Sequence, residues 1–477
     1  MITYDKLYVG GQWVAPEIAE PIVVVSPHDR PVVGHAAQAT PADVDRAVSA
    51  ARAAFDHGPW PHTTPEHRQA LIARFNELHA QRATEIAELV TAENGTPSWF
   101  TSSLQTAMAE QTNAYLRAAA EFGWEERVST PNGPGPIVRR EPVGVVAAVI
   151  PWNAPHQSAL VKIVPALLAG CAVILNASPE TALDALLLAE VFAAAGLPDG
   201  VLSILPAHRG ASEYLVAHPG VDKVAFTGST AAGRRIAAIA GEQLKRVSLE
   251  LGGKSAGIVL ADADLPTMLS QLPFASFGNN GESCGSISRL LLPRSRYEEF
   301  VDAIAGVVGA IPVGDPRDPA TFIGPMVTPA QQERVRGYIR LGIAEGARLV
   351  VGGPEEPEGL TGGNYVRPTV FAEVRNDMRI AREEIFGPVL SLIAYETEEE
   401  AIRIANDSDY GLSGAVWSAD QDRALAVARR LRTGGVLVNG DPGGFDAPFG
   451  GYKASGLGRE MGVAGLSGYV ELKTINA

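Results

Sequence analysis

The middle of the chain alternates between short apolar runs and longer segments with helical periodicity. Four runs rich in Val and Ile are typical of strands buried on both faces of a sheet: residues 143–150, 172–176, 201–205 and 223–228. Between them, a helical pattern over residues 181–196 ends in Gly, as helices often do. Alternation of this kind predicts right-handed crossover units and a parallel sheet.

A second series of the same kind follows Gly252. It predicts strands over residues 255–260, 289–293 and 434–440, and helices over residues 296–311 and 421–434. Two long helical regions precede the first series, over residues 41–55 and 65–93. A stretch rich in Pro and Gly, typical of a connector or an extended arm, covers residues 128–144. The sequence therefore predicts two α/β domains that join near Gly252 and Gly253.

The overall composition limits the partners and the cell compartment that can be expected for this protein. A chain of 477 residues is too long for one ordinary core. Its net charge of −15 disfavours a nucleic-acid partner, because phosphate binding needs clustered Lys and Arg. The start of the chain lacks a secretory pattern, and no apolar run reaches the roughly 18 residues of a membrane span. Two cysteines cannot form a disulfide framework, so we expect a cytoplasmic protein with no membrane partner.

The two cysteines occupy contrasting settings. Cys171 leads into an apolar strand and is expected to be a small buried side chain. Cys284 lies in the polar stretch FGNNGESCGS, where Gly281 and Gly285 permit unusual backbone conformations. An accessible thiol between a helix and a strand suits a nucleophile, since the thiolate is the reactive form.

Other readings of the candidate chemistry lack support in the sequence. None of the nine histidines has a setting that marks it as the partner of a cysteine nucleophile. Neither CxxC nor HExxH occurs, so no metal site is expected. The GGKS at residues 252–255 fails the phosphate-loop pattern, because Ser248 stands where that pattern needs Gly.

Six motifs together resemble the NAD(P)-dependent aldehyde dehydrogenase superfamily. They are PWNAP (151–155), FTGSTAAG (226–233), LELGGKS (249–255), the cysteine loop, EEIFGPV (383–389) and PFGGYKASGLGRE (448–460). The likeness extends from residues 7–14 to residues 467–475. It implies two Rossmann-like parallel-sheet domains plus a small β-arm used in oligomerisation. The implied ranges are 1–121 with 142–251 for the NAD(P)-binding domain, 252–453 for the catalytic domain, and 122–141 with 465–477 for the arm.

The resemblance assigns a catalytic role to four residues. An aldehyde carbonyl needs a nucleophile before it can release hydride, and that nucleophile matches Cys284. The side chain of Asn153 and the backbone N–H of Cys284 match the donors for the resulting alkoxide. Glu250 matches the general base that activates water against the thioester, and its apolar neighbours favour a raised pKa. Lys162 matches a lysine that supports this site.

The resemblance also implies a dinucleotide site. A strand, a Gly-Ser-Thr turn and a helix at residues 226–233 place backbone N–H groups where a pyrophosphate can bind. The cofactor residues implied are Pro151, Trp152, Asn176, Ser178, Gly228, Ser229, Leu251, Glu384 and Phe386. Asn176 stands where relatives often carry Lys, and Pro179 where they often carry a Glu that repels a 2′-phosphate. NAD is therefore expected, with NADP as the alternative.

Four positions are expected to form the substrate pocket: Ala154, Ser283, Gly285 and Phe449. Ala154 replaces a bulky aromatic of many relatives and suggests a roomier channel. Glu282 replaces a commoner Gln and is expected to disfavour acidic aldehydes. The sequence thus predicts a neutral, apolar or aromatic aldehyde and a homodimer or homotetramer. A CoA-acylating dehydrogenase and a non-catalytic structural protein on the same fold remain as alternatives, the first disfavoured by Glu250.

Overall fold

The computed structural model describes residues 1–131, 133–441 and 443–476. Residues 132 and 477 of the predicted arm, and residue 442 of the predicted catalytic domain, lie outside the described residues. The elements below are numbered in chain order.

The strands are Ile2–Tyr4 (β1), Leu7–Val9 (β2), Gln12–Val14 (β3), Pro21–Val25 (β4), Val32–Ala37 (β5), Glu125–Thr130 (β6), Gly133–Pro142 (β7), Val145–Val149 (β8), Ala172–Ala177 (β9), Leu202–Pro206 (β10), Lys223–Thr227 (β11), Arg246–Glu250 (β12), Ser255–Val259 (β13), Ile287–Pro293 (β14), Arg348–Val351 (β15), Thr369–Ala372 (β16), Val389–Tyr395 (β17), Ser413–Trp417 (β18), Gly435–Val438 (β19), Gly456–Leu457 (β20) and Val470–Ile475 (β21).

The α-helices are Pro41–Asp56 (α1), Pro65–Gln81 (α2), Ala83–Asn94 (α3), Ser98–Ala120 (α4), Pro155–Ala169 (α5), Ala182–Ala195 (α6), Arg209–Ala217 (α7), Thr230–Glu242 (α8), Leu265–Phe277 (α9), Tyr297–Gly309 (α10), Pro329–Ala344 (α11), Arg379–Arg382 (α12), Glu398–Asn406 (α13), Gln421–Ala428 (α14) and Gly462–Ser467 (α15).

The first large sheet has the order β20-β12-β11-β8-β9-β10-β2-β3. Its five central strands, β12 to β10, run parallel, and antiparallel strands flank them on both sides. The buried side chains of β8 and β9 contribute to apolar clusters on both faces of the sheet. This accounts for the continuous Val and Ile runs of the sequence, since both faces are covered.

The second large sheet has the order β15-β16-β17-β14-β13-β18-β19. All its neighbouring strands run parallel except β15. It too separates two apolar clusters. The predicted fold class, two Rossmann-like parallel-sheet units, is therefore confirmed. The chain enters this sheet after β12 and returns to the first sheet at β20, so the two sheets are linked on both sides of the second unit.

Two smaller sheets complete the described fold. The N-terminal one has the order β1-β5-β4. The other joins the hairpin of β6 and β7 to the C-terminal strand β21, in the order β21-β7-β6. Every residue of β6 is exposed, as expected of an arm that projects from the molecule.

Two predicted helices differ from those in the structure, and one helix was not predicted. The predicted helix over residues 65–93 is two helices, because Arg82 adopts φ −103° and ψ 9° between α2 and α3. The helix predicted over residues 421–434 ends at Ala428. The sequence prediction missed α4, the 23-residue helix whose mixture of small, polar and apolar residues gives a weak stripe.

Candidate active site

Three parallel strands of the first sheet end side by side and carry candidate residues at their carboxyl ends. Asn153 follows β8, Ser229 follows β11, and Glu250 ends β12. Because β8, β11 and β12 are neighbours, these residues meet at one edge of the sheet, where open α/β sheets bind ligands. A cavity of about 550 Å³ at this edge is lined by all three and also by Cys284.

A strained loop brings Cys284 to the cavity. After α9, Asn279, Asn280 and Gly281 have φ values of 52°, 60° and 72°, a left-handed run that Asn and Gly tolerate best. The Asn280 side chain donates to the Gly95 and Pro325 carbonyls, both at 3.1 Å, and so fixes the loop. A Cβ on Gly281 would lie 2.4 Å from the backbone of Gly387, so only a residue without a side chain fits at this position.

The cysteine loop is tied to the loop that carries Asn153. The Asn153 Nδ2 donates to the Glu282 carbonyl at 2.9 Å, and the Asn279 Nδ2 donates to the Asn153 carbonyl at 2.8 Å. The Thr96 hydroxyl donates to the Asn279 Oδ1 at 2.7 Å. The predicted nucleophile and the predicted alkoxide donor are therefore held by one continuous set of hydrogen bonds.

The environment of Cys284 keeps its thiol protonated at rest. Cys284 is half-buried at the cavity wall. Burial, followed by the nearby Glu384 and Glu250 carboxylates, raises the pKa of its thiol to about 12. Formation of the thiolate therefore requires a base in the site.

Glu250 is a buried carboxyl that lines the same cavity. It is 3% exposed, and neither carboxyl oxygen has a hydrogen-bond partner among the described residues. Burial, followed by the charge of Glu460, raises the pKa of Glu250 to about 9, while Lys162 and Arg459 oppose that rise. A carboxyl with free oxygens beside a cavity can bind and deprotonate a water molecule.

Lys162 lies beneath Glu250 within α5. Its ammonium contacts the Glu460 Oε1 and the Thr227 Oγ1, each at 2.5 Å, and its side chain is fully buried. Lys162 does not line the cavity, so it contacts the site through Glu460. This ion pair holds the Glu460 carboxylate close to Glu250. After burial, the charge of that carboxylate is the second cause of the raised Glu250 pKa.

The turn after β11 has the geometry of a phosphate site. Ser229 caps α8 and accepts a hydrogen bond from the Ala232 N–H, so the free N–H groups of the first turn face the cavity edge. A Cβ on Gly233 would lie 2.4 Å from the Leu251 side chain. Glycine at this position therefore lets α8 pack close to the end of β12. A cleft of about 360 Å³ between α7 and α8 adjoins Ser229, and its apolar walls include Phe226. These features suit a pyrophosphate with a planar base beside it.

The same cavity is also lined by a carboxylate and an aromatic pair. The Glu384 Oε1 accepts from the Gly253 N–H at 2.9 Å, and burial raises the pKa of Glu384. A Cβ on Gly252 would lie 2.3 Å from that carboxylate, so Gly is required there. Phe386 has φ 63°, and its ring meets that of Trp152 edge-on at 5.5 Å. A carboxylate beside aromatic rings fits a ribose diol next to a flat ring.

The remaining cofactor candidates fall into two groups. Pro151, Trp152, Gly228 and Leu251 line the cavity, whereas Asn176 and Ser178 do not. Asn176 is buried, and its Nδ2 donates to the Leu205 carbonyl at 2.9 Å. Ser178 donates to the carboxylate of Glu180. Both side chains therefore make a hydrogen bond within the protein, which the sequence did not predict.

The substrate candidates line the cavity, but the expectation for Glu282 is wrong. Ala154, Ser283, Gly285 and Phe449 all contribute to the wall. Glu282 does not: it is 2% exposed, and its Oε1 accepts from the Val327 N–H at 3.2 Å. Its carboxyl points into the protein behind the cysteine loop, so it cannot repel an acidic aldehyde directly.

Several wall residues were missed by sequence reasoning. They come from α4, α5, α11 and the turn after α9 and include Phe100, Gln157, Ser158, Val161, Asn279, Gln331 and Arg334. For Asn279 a signal existed, because two Asn residues before a Gly favour a left-handed turn. The others lie on helices whose facing sides only the packing determines.

Metal-binding clusters and membrane-spanning helices are both absent from the described residues. No group of three or more His, Cys, Asp or Glu side chains there is arranged to hold a metal ion. None of the helices in residues 1–131, 133–441 and 443–476 is long and apolar enough to cross a membrane.

Comparisons with known proteins agree with the geometry. Residues 13–475 match the model of the aldehyde dehydrogenase family. The chain is 48% identical over 475 residues to geranial dehydrogenase from Castellaniella defragrans, covering 99% of each chain. Its structure is similar to an aldehyde dehydrogenase from Mycobacterium tuberculosis complexed with NAD⁺, with a TM-score of 0.98, 46% identity and coverage of 100% and 98%.

A further solved relative contains both cofactor and aldehyde. It is a mutant of aldehyde dehydrogenase C from Pseudomonas syringae in complex with NAD⁺ and octanal, with a TM-score of 0.95, 42% identity and coverage of 99% and 96%. The family match spans nearly the whole chain, and the identities are high over full length. The chain therefore belongs to the aldehyde dehydrogenase family and is an enzyme that oxidises aldehydes with NAD.

Proposed function

We propose that this enzyme oxidises a neutral apolar or aromatic aldehyde to the carboxylic acid through a thioester on Cys284, which water activated by Glu250 hydrolyses. The observation that carries the proposal is the convergence of Cys284, Asn153 and Glu250 on one cavity that Ser229 and Glu384 also line. A nucleophile, an alkoxide donor, a base and cofactor contacts are the groups that this reaction needs.

The first step is addition of the Cys284 sulfur to the aldehyde carbon. The thiol loses its proton to Glu250, which lines the same cavity and whose carboxyl oxygens have no hydrogen-bond partner among the described residues. The carbonyl oxygen becomes an alkoxide, for which the Asn153 Nδ2 and the Cys284 N–H are the donors. Donors already fixed by the surrounding hydrogen bonds lower the barrier because they need little reorganisation.

The cofactor-facing residues position the dinucleotide for the second step. When bound, NAD would supply the acceptor for the hydride that the carbon loses as the alkoxide collapses to the thioester. Ser229 and the first turn of α8 would hold the pyrophosphate, and Glu384 the ribose hydroxyls beside Phe386 and Trp152. Asn176 and Ser178 already bond within the protein, to the Leu205 carbonyl and the Glu180 carboxylate, and neither lines the cavity.

The last step is hydrolysis. Glu250 first passes the proton of the thiol to solvent. It then takes a proton from water, the hydroxide attacks the thioester carbon, and the C–S bond breaks to give the acid and the Cys284 thiolate, which regains a proton from Glu250. The charges of Glu460 and Lys162 affect this step because the first raises and the second lowers the pKa of Glu250. A buried carboxyl with both oxygens free favours water over coenzyme A as the acceptor, so the product is the free acid.

The cavity wall supports a neutral substrate. Its only basic side chain among the described lining residues is Arg334, which donates to the Glu384 and Ile385 carbonyls at the cofactor end. A carboxylate-bearing aldehyde would find no free cation near Cys284. Phe100, Val161 and Phe449 supply apolar surface there.

We also propose that the enzyme is a homo-oligomer located in the cytoplasm. The exposed strands of the β21-β7-β6 sheet are suited to pairing between subunits, which supports a homodimer or homotetramer. The low cysteine content supports the reducing cytoplasm.

The decisive experiment compares C284A with C171A. NADH formation is measured with a panel of aldehydes, the acid is quantified, and NAD binding is titrated by fluorescence. We expect C284A to bind NAD normally with turnover reduced at least about a thousandfold, and C171A, whose thiol is fully buried away from the cavity, to keep its kcat. Unchanged turnover in C284A, or acyl-CoA as the product, would overturn the proposal.

A further inference from the structure

A buried set of polar side chains joins α5 to two neighbouring helices. His156 is the second residue of α5, and it is 1% exposed. Its neighbours Ala154 and Gln157 line the active-site cavity, whereas the His156 ring does not. The ring instead contacts His79 of α2 and Asp184 of α6, both of which are also buried and outside the cavity wall.

Both ring nitrogens of His156 are bonded. The Nδ1 donates to the Asp184 Oδ1 at 2.6 Å, and the Nε2 lies 2.9 Å from the His79 Nε2, a contact that needs one proton between the two nitrogens. Burial, followed by the charge of His156, lowers the pKa of His79 to about 3, so His79 is uncharged at neutral pH. The His79 ring also packs against Phe75, with ring centroids 5.6 Å apart. These contacts fix the orientation of the His156 ring.

Asp184 is itself held at the first turn of α6 by the end of α3. The Glu93 carboxyl accepts from two N–H groups of that turn, at 2.8 and 3.1 Å, and one of them belongs to Asp184. The next residue of α3, Asn94, donates to the Trp152 carbonyl at 3.0 Å. The end of α3 therefore supports the loop before α5 directly, and it supports the first turn of α5 through Asp184 and His156.

The polar groups of this set are not all satisfied. The His79 Nδ1 and the Asp184 Oδ2 have no hydrogen-bond partner in the part of the chain that the structure describes. Apolar side chains of similar volume often stabilise a core as well as a buried ion pair does. We therefore look for the reason for this set in the geometry that it imposes on α5.

The start of α5 is where such a constraint has an effect on the active site. The N-cap of α5 is Ala154, and no side chain caps the first turn. Asn153 directly precedes Ala154, and its Nδ2 already points towards the cysteine loop through the Glu282 carbonyl. Because the chain is continuous, any shift of the first turn of α5 would move Asn153 relative to Cys284.

We propose that His156, held by Asp184 and His79, is a positioning residue that fixes the start of α5 and thereby aims the Asn153 amide at the alkoxide. His156 touches neither the substrate nor the cofactor, and it acts through Asn153. The inference rests on the proposed function, because it takes Asn153 as the alkoxide donor.

The test is a double-mutant cycle with N153A. The variant H156L/D184L removes the polar pair without leaving a buried carboxylate unpaired. We expect it to lower kcat and kcat/KM for octanal about tenfold, with the NAD dissociation constant unchanged, because the alkoxide donor acts in the transition state. In the N153A background the same two substitutions should cause no further loss, since the side chain through which they act is absent.

A conservative variant tests the bond to Asp184. The amide of H156N places an N–H group close to the position of the His156 Nδ1, so it can keep the bond to Asp184 and lose only the contact with His79. We expect H156N to retain most of the wild-type kcat. A loss in H156N as large as that in H156L/D184L would overturn the role of the Asp184 bond.

The matched control is H28L/D315L, which makes the same two substitutions in another histidine–aspartate pair. The His28 Nε2 lies 3.6 Å from the Asp315 Oδ2, and neither residue lines the cavity. This variant should have the kcat of its parent both with and without N153A. Thermal melts and NAD titration verify that every variant is folded.

The outcomes separate this inference from the proposed function. An equal loss of kcat from H156L/D184L with and without the Asn153 side chain overturns the inference and leaves the thioester mechanism standing, as does the absence of any loss. Wild-type kcat in N153A overturns the proposed role of Asn153 as the alkoxide donor.

Discussion

At the scale of single residues, Glu250 has to meet two opposing demands. As the proposed base, it must be enclosed enough to direct one water at the thioester, yet it can accept a proton only when ionised. Burial is the largest influence on its pKa, and the charge of Glu460 is the second. Lys162 and Arg459 reduce the resulting shift, so the four side chains together set the pH at which the base works.

The pH profile of kcat should report that balance. Because a carboxyl with a pKa of about 9 is protonated at pH 7, kcat should rise with pH and level off above about pH 9. E460Q removes a negative charge but keeps an oxygen for Lys162, so its profile should shift to lower pH. E471Q, which alters an exposed pair with Arg246, is the control. Identical profiles for wild type and E460Q would count against the coupling.

The same shift has a consequence for stability. A carboxyl whose pKa is raised by folding stabilises the folded state below its unfolded pKa of about 4.3 and loses that contribution as the pH rises towards 9. E250Q has no such proton to lose. The melting temperature of E250Q relative to the wild type should therefore increase between pH 5 and pH 9. A difference that stays constant across this range would mean that Glu250 is not protonated in the folded enzyme.

At the scale of elements, the end of α3 organises the catalytic loops. The Asn94 Nδ2 donates to the Trp152 carbonyl at 3.0 Å, and Thr96 holds Asn279, which holds Asn153. None of these contacts belongs to the sheet that supplies Asn153. The helix end therefore positions Asn153, the proposed alkoxide donor, relative to Cys284, although neither Asn94 nor Thr96 lines the cavity.

T96V should lower activity without weakening cofactor binding. Valine keeps the shape but removes the hydroxyl that donates to the Asn279 Oδ1 at 2.7 Å, leaving a buried acceptor unpaired at a cost of about 1–3 kcal/mol. We expect kcat to fall about tenfold, with the NAD dissociation constant unchanged. T91V is the control, because its hydroxyl pairs with Thr101 at 3.0 Å away from the cavity. An equal loss of kcat in both variants would indicate a general effect of stability.

At the scale of the whole molecule, the active site depends on the relation between two sheets. One contributes Asn153, Ser229 and Glu250, and the segments leading into and out of the other contribute Cys284 and Glu384. The chain crosses between them after β12 and returns at β20, where Glu250 pairs with Gly456 in the ladder. The small sheet of β6, β7 and β21 lies outside this arrangement and is free to serve assembly.

The assembly prediction concerns Leu472 in β21. It is 68% exposed and lies in the same small sheet as β6, all of whose residues are exposed, so a second subunit bound at the arm would cover it. L472D should shift the mass in sedimentation towards the monomer, whereas L244D, at a 90% exposed leucine outside the arm, should not. A monomeric wild-type enzyme would refute the proposed role of the arm.

Much of the fold and part of the site could be predicted from the sequence. The strands β8, β9, β11 and β13 came from their apolar runs, and α6 from its periodicity and the terminal Gly196, which has φ 86°. The domain limits remain a prediction. Phe100, Gln157 and Gln331 could not be found in this way, because the side of a helix that faces a cavity is set by its neighbours.

The sequence by itself determined the alternating α/β pattern, the exceptional setting of Cys284 and the motifs of the family, because local periodicity, backbone preferences and short motifs are properties of neighbouring residues. The tertiary structure alone decided that Glu282 points away from the cavity, that Asn176 bonds to β10, and that Glu460 lies close enough to raise the Glu250 pKa. Those facts depend on distances between residues far apart in the chain, which only the packing of helices and sheets fixes.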